Sequence, residues 1–387
     1  MNATGPRVTA LAGGVGAARM LRGLAAVVGQ VAITAVVNTG DDLVLHGLHV
    51  SPDIDTVTYT LAGASNDETG WGLAGESWTV MGALQAFNDA SGLGGAGLTW
   101  FNLGDRDLAT HLFRTGRLAA GGTLSQVTAE VAHRFGVAAR LLPMTDSPVE
   151  TRVTVEMSDQ VRPFGGLLPR GGGSGPSGRD RPSVRDGPSG PGGPGGPGGR
   201  DGRDGPSGPS GPVEEPAGTG LVEIGFQEFF VGLRHSVDVK NVRFDGIELA
   251  QPAPGVIEAI EAAEVVVICP SNPIVSIGPV LAVPGIADAV ARRRDDAVAV
   301  SPIIAGKALK GPADRMLANL GHEVSVVGVA RLWAPLASAL VVDEADSELA
   351  AQVEAEGMRC IVAPAVMSGP TEAARLARTV LGARARC

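Results

Sequence analysis

Short apolar runs alternate with stretches of helical spacing along most of this chain. Residues 8–11 (VTAL) and 33–37 (ITAVV) are compact and rich in β-branched residues, as buried strands are. Between them Met20, Leu21, Leu24 and Val27 recur at the three- and four-residue steps of an amphipathic helix. Strand, helix and strand in that order predict a βαβ unit and a parallel sheet, hence an α/β fold. Downstream the pattern predicts helices over 71–87, 124–135, 254–263 and 371–381, and strands over 138–144, 265–268, 298–300, 324–329 and 339–342. Residues 153–157 and 221–231 read as the two arms of a hairpin.

One segment breaks the pattern. Of the 42 residues 171–212, 17 are Gly and 9 are Pro, and from Gly187 to Gly211 glycine falls at every third position. That register is collagen-like, yet a triple helix needs three chains and more triplets than these. The segment 165–217 therefore reads as a disordered Gly/Pro-rich insertion. Residues 1–164 and 218–387 then form two parts of one α/β domain. With only 4% aromatic residues, the core must be built from Val, Leu, Ile and Ala, as in buried parallel sheets. A net charge of −10 disfavours a nucleic-acid partner. Cys269, Cys360 and Cys387 are scattered and odd in number, which suits a reducing cytoplasm and no metal cluster. The first residues carry no signal-peptide hydrophobic region, and no apolar run reaches the ~18 residues of a membrane span. A cytoplasmic protein without membrane contact is expected.

Candidate chemistry concentrates after the second strand. Asp41, Asp42, Asp53 and Asp55 fall within fifteen residues around His46, on loops leaving a strand and entering a helix near Thr56. Such a cluster suits a divalent cation or a polar ligand; capping of the helix by Asp53 or Asp55 is the plainer alternative. Gly13, Gly14 and Gly16 sit where the first strand gives way to a helix, a turn that lets phosphate approach backbone N–H groups. The turn is neither a full dinucleotide fingerprint nor a P-loop. The loop 102–107 (NLGDRD) brings Asp105, Arg106, Asp107, Thr110, His111 and Arg114 to a helix start, where Asp107 could cap the helix and pair with Arg114. Ser271 and Asn272 follow a buried strand, at the end where α/β folds place ligands. Lys307 and Lys310 occupy a Gly-containing loop, as surface lysines or as phosphate ligands.

Several phrases taken together, AGGVGAARML, VVNTGDD, HGLHVSPDIDTVTY, LGDRDLATHL, LPMTDSPVETRV, CPSNPIVSIGPVLAVPGI and VAVSPIIAGKALKGPADRML, resemble the phospholactate/phosphoenolpyruvate transferase family of coenzyme F420 biosynthesis. The resemblance covers nearly the whole chain outside 171–212. It implies a Rossmann-like, mostly parallel sheet with helices on both faces and a smaller α/β elaboration, usually in a homodimer. It also implies Mg²⁺, a guanosine-diphosphate-linked three-carbon acid as donor, and the deazaflavin Fo as acceptor, with GMP released. The donor acid is enolpyruvyl or 2-phospho-L-lactyl, and the low-aromatic, Gly/Ala/Arg-rich composition leans to the first. Carried onto this chain, the resemblance makes Asp42, Asp53 and Asp55 catalytic and gives Asp41, Asp42 and Asp55 to the metal. Asp55, Asn102, Asp105, Arg106 and His111 bind substrate; Gly13, Gly14, Gly16, Ser271, Asn272 and Lys307 bind nucleotide. His46 and His111 are candidate proton carriers. Val15 departs from the threonine that relatives often place in the glycine loop. A nucleotide-sugar-binding regulator of the same fold, without turnover, is the competing reading. A nicotinamide dehydrogenase is disfavoured by the incomplete glycine fingerprint.

Overall fold

In the computed structural model, which describes residues 5–68, 70–91, 99–156 and 220–384, seven parallel strands form the central sheet. Their spatial order is Arg140–Pro143, Ile33–Val37, Val8–Ala12, Val265–Ile268, Ala297–Val300, Ala339–Val342 and Arg359–Val362. Counted along the chain within this sheet the order is 3-2-1-4-5-6-7, the Rossmann arrangement with one strand added. Segments on both sides of 157–219 contribute to it; the 165–217 insertion lies outside the described residues, as does Met157 at the tip of the expected hairpin.

Side chains of each strand alternate between two cores. Val8, Ala10, Val265 and Val267 enter one, while Leu11, Val266 and Ile268 enter the other. Burial on both faces is why these strands read as continuous apolar runs. The helices Gly14–Val28, Pro52–Leu61 and Pro370–Gly382 close the first core with Met20, Leu24, Ile54, Val57, Leu376 and Val380. Helices Val256–Ala262, Ile286–Arg292 and Val326–Trp333 close the second. No single helix among the described residues is long and apolar enough to cross a membrane.

The smaller elaboration is a three-stranded antiparallel sheet with Glu150–Glu156 between Leu221–Gly225 and Val239–Asp245. The second arm of the expected hairpin thus ends at Gly225, and Glu228–Gly232 coils into a helical turn. Leu43–Leu45 and Leu48–Val50 form a further hairpin, turning through His46 and Gly47, both at positive φ (53° and 78°). That is the turn whose twist matches paired strands.

Three expectations need correction. Residues 326–333 are a helix rather than part of a strand, because Ser325 caps the N–H groups of Val327 and Gly328 and nearly every side chain is buried, leaving no polar period. The helix expected over 71–87 begins only at Thr79, since Gly70, Gly72 and Gly75 adopt positive φ in the preceding loop. The helix expected near Thr56 starts at Pro52, so Asp53 and Asp55 lie in its first turn and neither is its cap. Carboxylates there face the positive end of the helix dipole.

Candidate active site

Strand order reverses between Val8–Ala12 and Val265–Ile268, and ligands of open α/β sheets bind beyond the carboxyl ends of such a pair. Here the two ends are tied together by the Ser271 hydroxyl, which donates to the Gly13 carbonyl at 2.6 Å. The glycine turn serves this approach. Gly14 has φ +69°, and a Cβ on Gly16 would lie 2.2 Å from the Pro270 carbonyl oxygen. Gly16→Ala is therefore expected to push the Pro270–Asn272 turn off the helix start. It should cost about 1–3 kcal/mol in urea unfolding and weaken donor binding measured by calorimetry.

A cavity of about 540 Å³ opens at this junction. Gly13, Gly14, Gly16, Ser271 and Asn272 form its floor, and Arg19 and Lys310 add positive charge. Trp71, Trp100, Phe101, Phe226 and Phe230 supply flat walls, suited to a planar ring system. Asn272 accepts from the Ile274 N–H at 2.9 Å, which fixes the turn.

Two acidic clusters line the cavity, and they differ in chemistry. In the first, Asp53 accepts from Asn38 Nδ2 at 2.9 Å, and Asn38 also holds the Asp41 loop through the Gly40 N–H at 2.8 Å. Burial, and then the neighbouring Asp53, push Asp41 well above the usual carboxylate range. Burial raises Asp53 to about 6, against the opposing hydrogen bonds from Asn38 and the Gly14 N–H. Asp41 Oδ1 is buried without a hydrogen-bond partner. Two buried carboxylates with an unused oxygen, beside a glycine turn, form an incomplete oxygen-donor set of the kind that magnesium and a ligand phosphate complete.

The second cluster is already neutralised. Arg114, fully buried in the helix Asp105–Ala119, grips both oxygens of Asp55, Nη1 to Oδ2 at 3.0 Å and Nη2 to Oδ1. Burial lowers Arg114, but the Asp55 charge and hydrogen bond outweigh it and leave it above its ordinary value. Asp107 accepts from the Tyr59 hydroxyl at 2.6 Å. Burial pushes Asp107 up; the His111 ring and Tyr59 outweigh it and hold the carboxyl below its ordinary value. Asp55, Asp107 and His111 each offer a ligand atom within 4.8 Å of the others. A guanidinium bonded to Asp55 opposes a cation there, so this group fits a metal less well than Asp41 and Asp53.

Of the expected site residues, Gly13, Gly14, Gly16, Asp41, Asp53, Asp55, Asn102, His111, Ser271 and Asn272 line the one cavity. Asp42 does not. It accepts from Ser51 at 2.7 Å and braces the base of the 43–50 hairpin, against the start of the helix that carries Asp53 and Asp55. Asp105 also lies off the cavity, where Ser77, Thr79 and Val80 donate to it at the start of helix Thr79–Ser91. Those bonds hold its carboxyl well below the usual range, with the Ser77 hydroxyl the largest influence. Arg106 is turned to the Ala74 carbonyl at 2.6 Å. Glu76, not Asp107, caps the helix Asp105–Ala119, accepting from the N–H groups of Arg106 and Asp107. Lys307 is exposed where it pairs with Ile304 in a short hairpin, leaving Lys310 as the lysine at the cavity. His46 belongs to the hairpin turn. Arg19 and the aromatic walls escaped the sequence reading, and Arg114, expected to pair with Asp107, instead binds Asp55, 59 residues away.

The family model described as 2-phospho-L-lactate transferase CofD matches residues 8–366. The chain belongs to this family. It is a transferase of the phosphoenolpyruvate/phospholactate type, in coenzyme F420 biosynthesis, as the resemblance implied. Among CofD-family relatives, the phosphoenolpyruvate transferase of Kitasatospora aureofaciens is 40% identical over 377 residues, 97% of each chain. That of Streptomyces griseus is 39% identical over 376 residues, again 97% of each. The Mycolicibacterium smegmatis phosphoenolpyruvate transferase is 33% identical, over 97% of this chain and 98% of its own. The solved structure of protein BH3568 from Bacillus halodurans has a TM-score of 0.51 at 16% identity, covering 97% of this chain and 99% of that one; the likeness is one of fold.

Proposed function

We propose that this transferase moves a phosphoenolpyruvyl group from a guanosine-diphosphate-linked donor to the terminal hydroxyl of the deazaflavin Fo, releasing GMP. The supporting observation is the cavity itself, which joins a glycine turn, an incomplete pair of buried carboxylates, two cations and aromatic walls. The relatives' names, phosphoenolpyruvate transferase, favour the enolpyruvyl over the 2-phospholactyl group.

Each component has a place in the chemistry. The Gly13–Gly16 turn offers backbone N–H groups to the donor diphosphate, with Arg19 and Lys310 adding charge. Ser271 and Asn272 shape the nucleotide end. Mg²⁺ held by Asp41 and Asp53 would neutralise the charge that grows on the departing phosphate. Trp100, Phe101 and Phe226 flank the deazaflavin ring, and Asn102 and Asp55 meet its side chain. In the transfer, the acceptor oxygen bonds to the phosphorus next to the three-carbon acid. The P–O bond to GMP breaks, GMP keeps that electron pair, and the hydroxyl proton passes to solvent. Such catalysis is largely positioning and charge neutralisation.

A reducing cytoplasm suits free Cys269 and Cys360. A homodimer would cover Val80, Phe87, Leu112 and Phe113, exposed on neighbouring helices. The deciding assay mixes protein, Mg²⁺, Fo and guanylated phosphoenolpyruvate, following GMP by chromatography and the product by mass. Stoichiometric GMP and phosphorylated deazaflavin support the reading. Donor binding without GMP release would make the chain a regulator.

A further inference from the structure

We propose that Trp71 covers the phosphorus being transferred, so that the acceptor alcohol rather than water attacks it. This rests on the reaction proposed above. Trp71 is 44% exposed and lines the cavity, on a backbone fixed from both sides. Gly70 and Gly72 flank it at positive φ (80° and 72°), where side chains are strained. The Gly70 N–H donates to the Asn66 carbonyl at 2.8 Å, and the Asn66 N–H to the Gly72 carbonyl at 3.0 Å. Asp67, next to Asn66, accepts at 3.1 Å from Arg22 of the helix Gly14–Val28. A Cβ on Gly70 would lie 3.0 Å from Val15 Cγ1 and 3.1 Å from Lys310 Nζ. Val15 is the side chain within the Gly13–Gly16 turn, so the backbone beside Trp71 rests on that turn. Trp71 also lines a second, small cavity of about 20 Å³ together with Gly104 and Asp107. It thus reaches from the glycine turn to the start of the helix whose Arg114 holds Asp55. In the proposed reaction these are the donor-phosphate end and the acceptor end, and the transferring phosphorus lies between them.

The surroundings of Trp71 suit this place. Partial burial, and then the Arg19 charge, hold Lys310 below its ordinary value. An anion between the two cations relieves that repulsion. The Phe230 ring comes to 4.0 Å from a Cβ built on Gly311, beside Lys310. Trp71, Lys310 and Phe230 therefore bring three separate loops to one cavity. Rings at such a position keep water from a reactive phosphorus. Were water to attack, its oxygen would bond to the phosphorus next to the three-carbon acid. The P–O bond to GMP would break, GMP would keep that electron pair, and a water proton would pass to solvent. Free phosphoenolpyruvate would leave, and the donor would be spent without product.

Coupling is the readout, as GMP formed per phosphorylated deazaflavin in wild type, Trp71→Phe and Trp71→Ala. Because Trp71 is half-exposed, the three proteins should unfold at similar urea concentrations. Wild type and Trp71→Phe should release GMP in step with product. Trp71→Ala should hydrolyse the guanylated donor about tenfold faster without Fo, equivalent to about 1.4 kcal/mol in barrier, and release excess GMP when Fo is present. In ¹⁸O-labelled water the label should enter phosphoenolpyruvate and not GMP, which locates the attack. Fully coupled turnover by Trp71→Ala would overturn the inference. So would a raised KM for either substrate with coupling intact, since Trp71 would then be a wall for a ring. The position of Trp71 is read without turnover by titrating GDP. Tryptophan emission should change in wild type and much less in Trp71→Phe; equal changes would remove Trp71 from the phosphates. Absence of transfer by the wild-type chain would sink the proposed reaction and leave the GDP titration to decide where Trp71 stands.

Discussion

Asp53→Asn is expected to lower kcat for GMP release by about 10³-fold, a scale set by losing a metal-supporting carboxylate, and yet to stabilise the protein. The stability effect follows from burial, which raises the Asp53 carboxyl to about 6. Between the ordinary carboxylate value and 6, the unfolded chain has released this proton and the folded chain has kept it. Wild-type stability should fall as pH rises through that window and stay reduced above it. Asparagine removes the cost, about 2–3 kcal/mol above pH 6 for a shift of some two pKa units, and leaves stability at pH 4 nearly unchanged. Urea titrations at pH 4 and 8 measure both limits. Mg²⁺ should raise the wild-type melting temperature and leave that of the variant unmoved. A variant that loses stability at pH 8, or one that retains turnover, would remove Asp53 from the metal site.

The opposite sign is expected a few residues away. Arg114→Met leaves Asp55 buried and charged without a partner, and such half-removed pairs cost about 3–5 kcal/mol. Because Arg114 is completely buried and bonded to both Asp55 oxygens, water cannot replace it. The double variant Arg114→Met with Asp55→Leu should recover most of the loss, since an apolar pair of similar volume is often as stable as the ion pair it replaces. Chemical denaturation of the two variants is the check. A single variant as stable as wild type would mean that Asp55 takes up a proton or reaches water. Function distinguishes the variants from Asp53→Asn: both should lose Fo binding, whereas Asp53→Asn should retain it.

These two carboxylates, Asp53 and Asp55, are indistinguishable in the sequence. Both fall in one helical turn after Ser51, yet burial raises one carboxyl against the Asn38 hydrogen bond, while Arg114, brought from elsewhere, pairs with the other. The fold was more legible. Runs such as 33–37 and 265–268 are short, β-branched and buried on both faces, and the structure reproduces them to the residue. Val326–Trp333 carries the same vocabulary, and only its length and the Ser325 cap separate it from a strand. The edge strand Arg359–Val362 was unread because its Arg359 is exposed and its burial incomplete. Asp42 and Asp105 lie off the cavity lining, one bonded by Ser51 and the other by the start of the Thr79 helix, a difference that the sequence does not mark. Resemblance to a family supplied the chemistry, but placing each carboxylate required knowing which residues lie across the cavity.

The position of Val8–Ala12 between Ile33–Val37 and Val265–Ile268 also governs how the protein must be made. At ribosomal speeds of about 5–20 residues per second, the fourth strand emerges roughly 10–50 s after the first. Throughout that interval the growing polypeptide has one bare strand edge, the kind that recruits other chains.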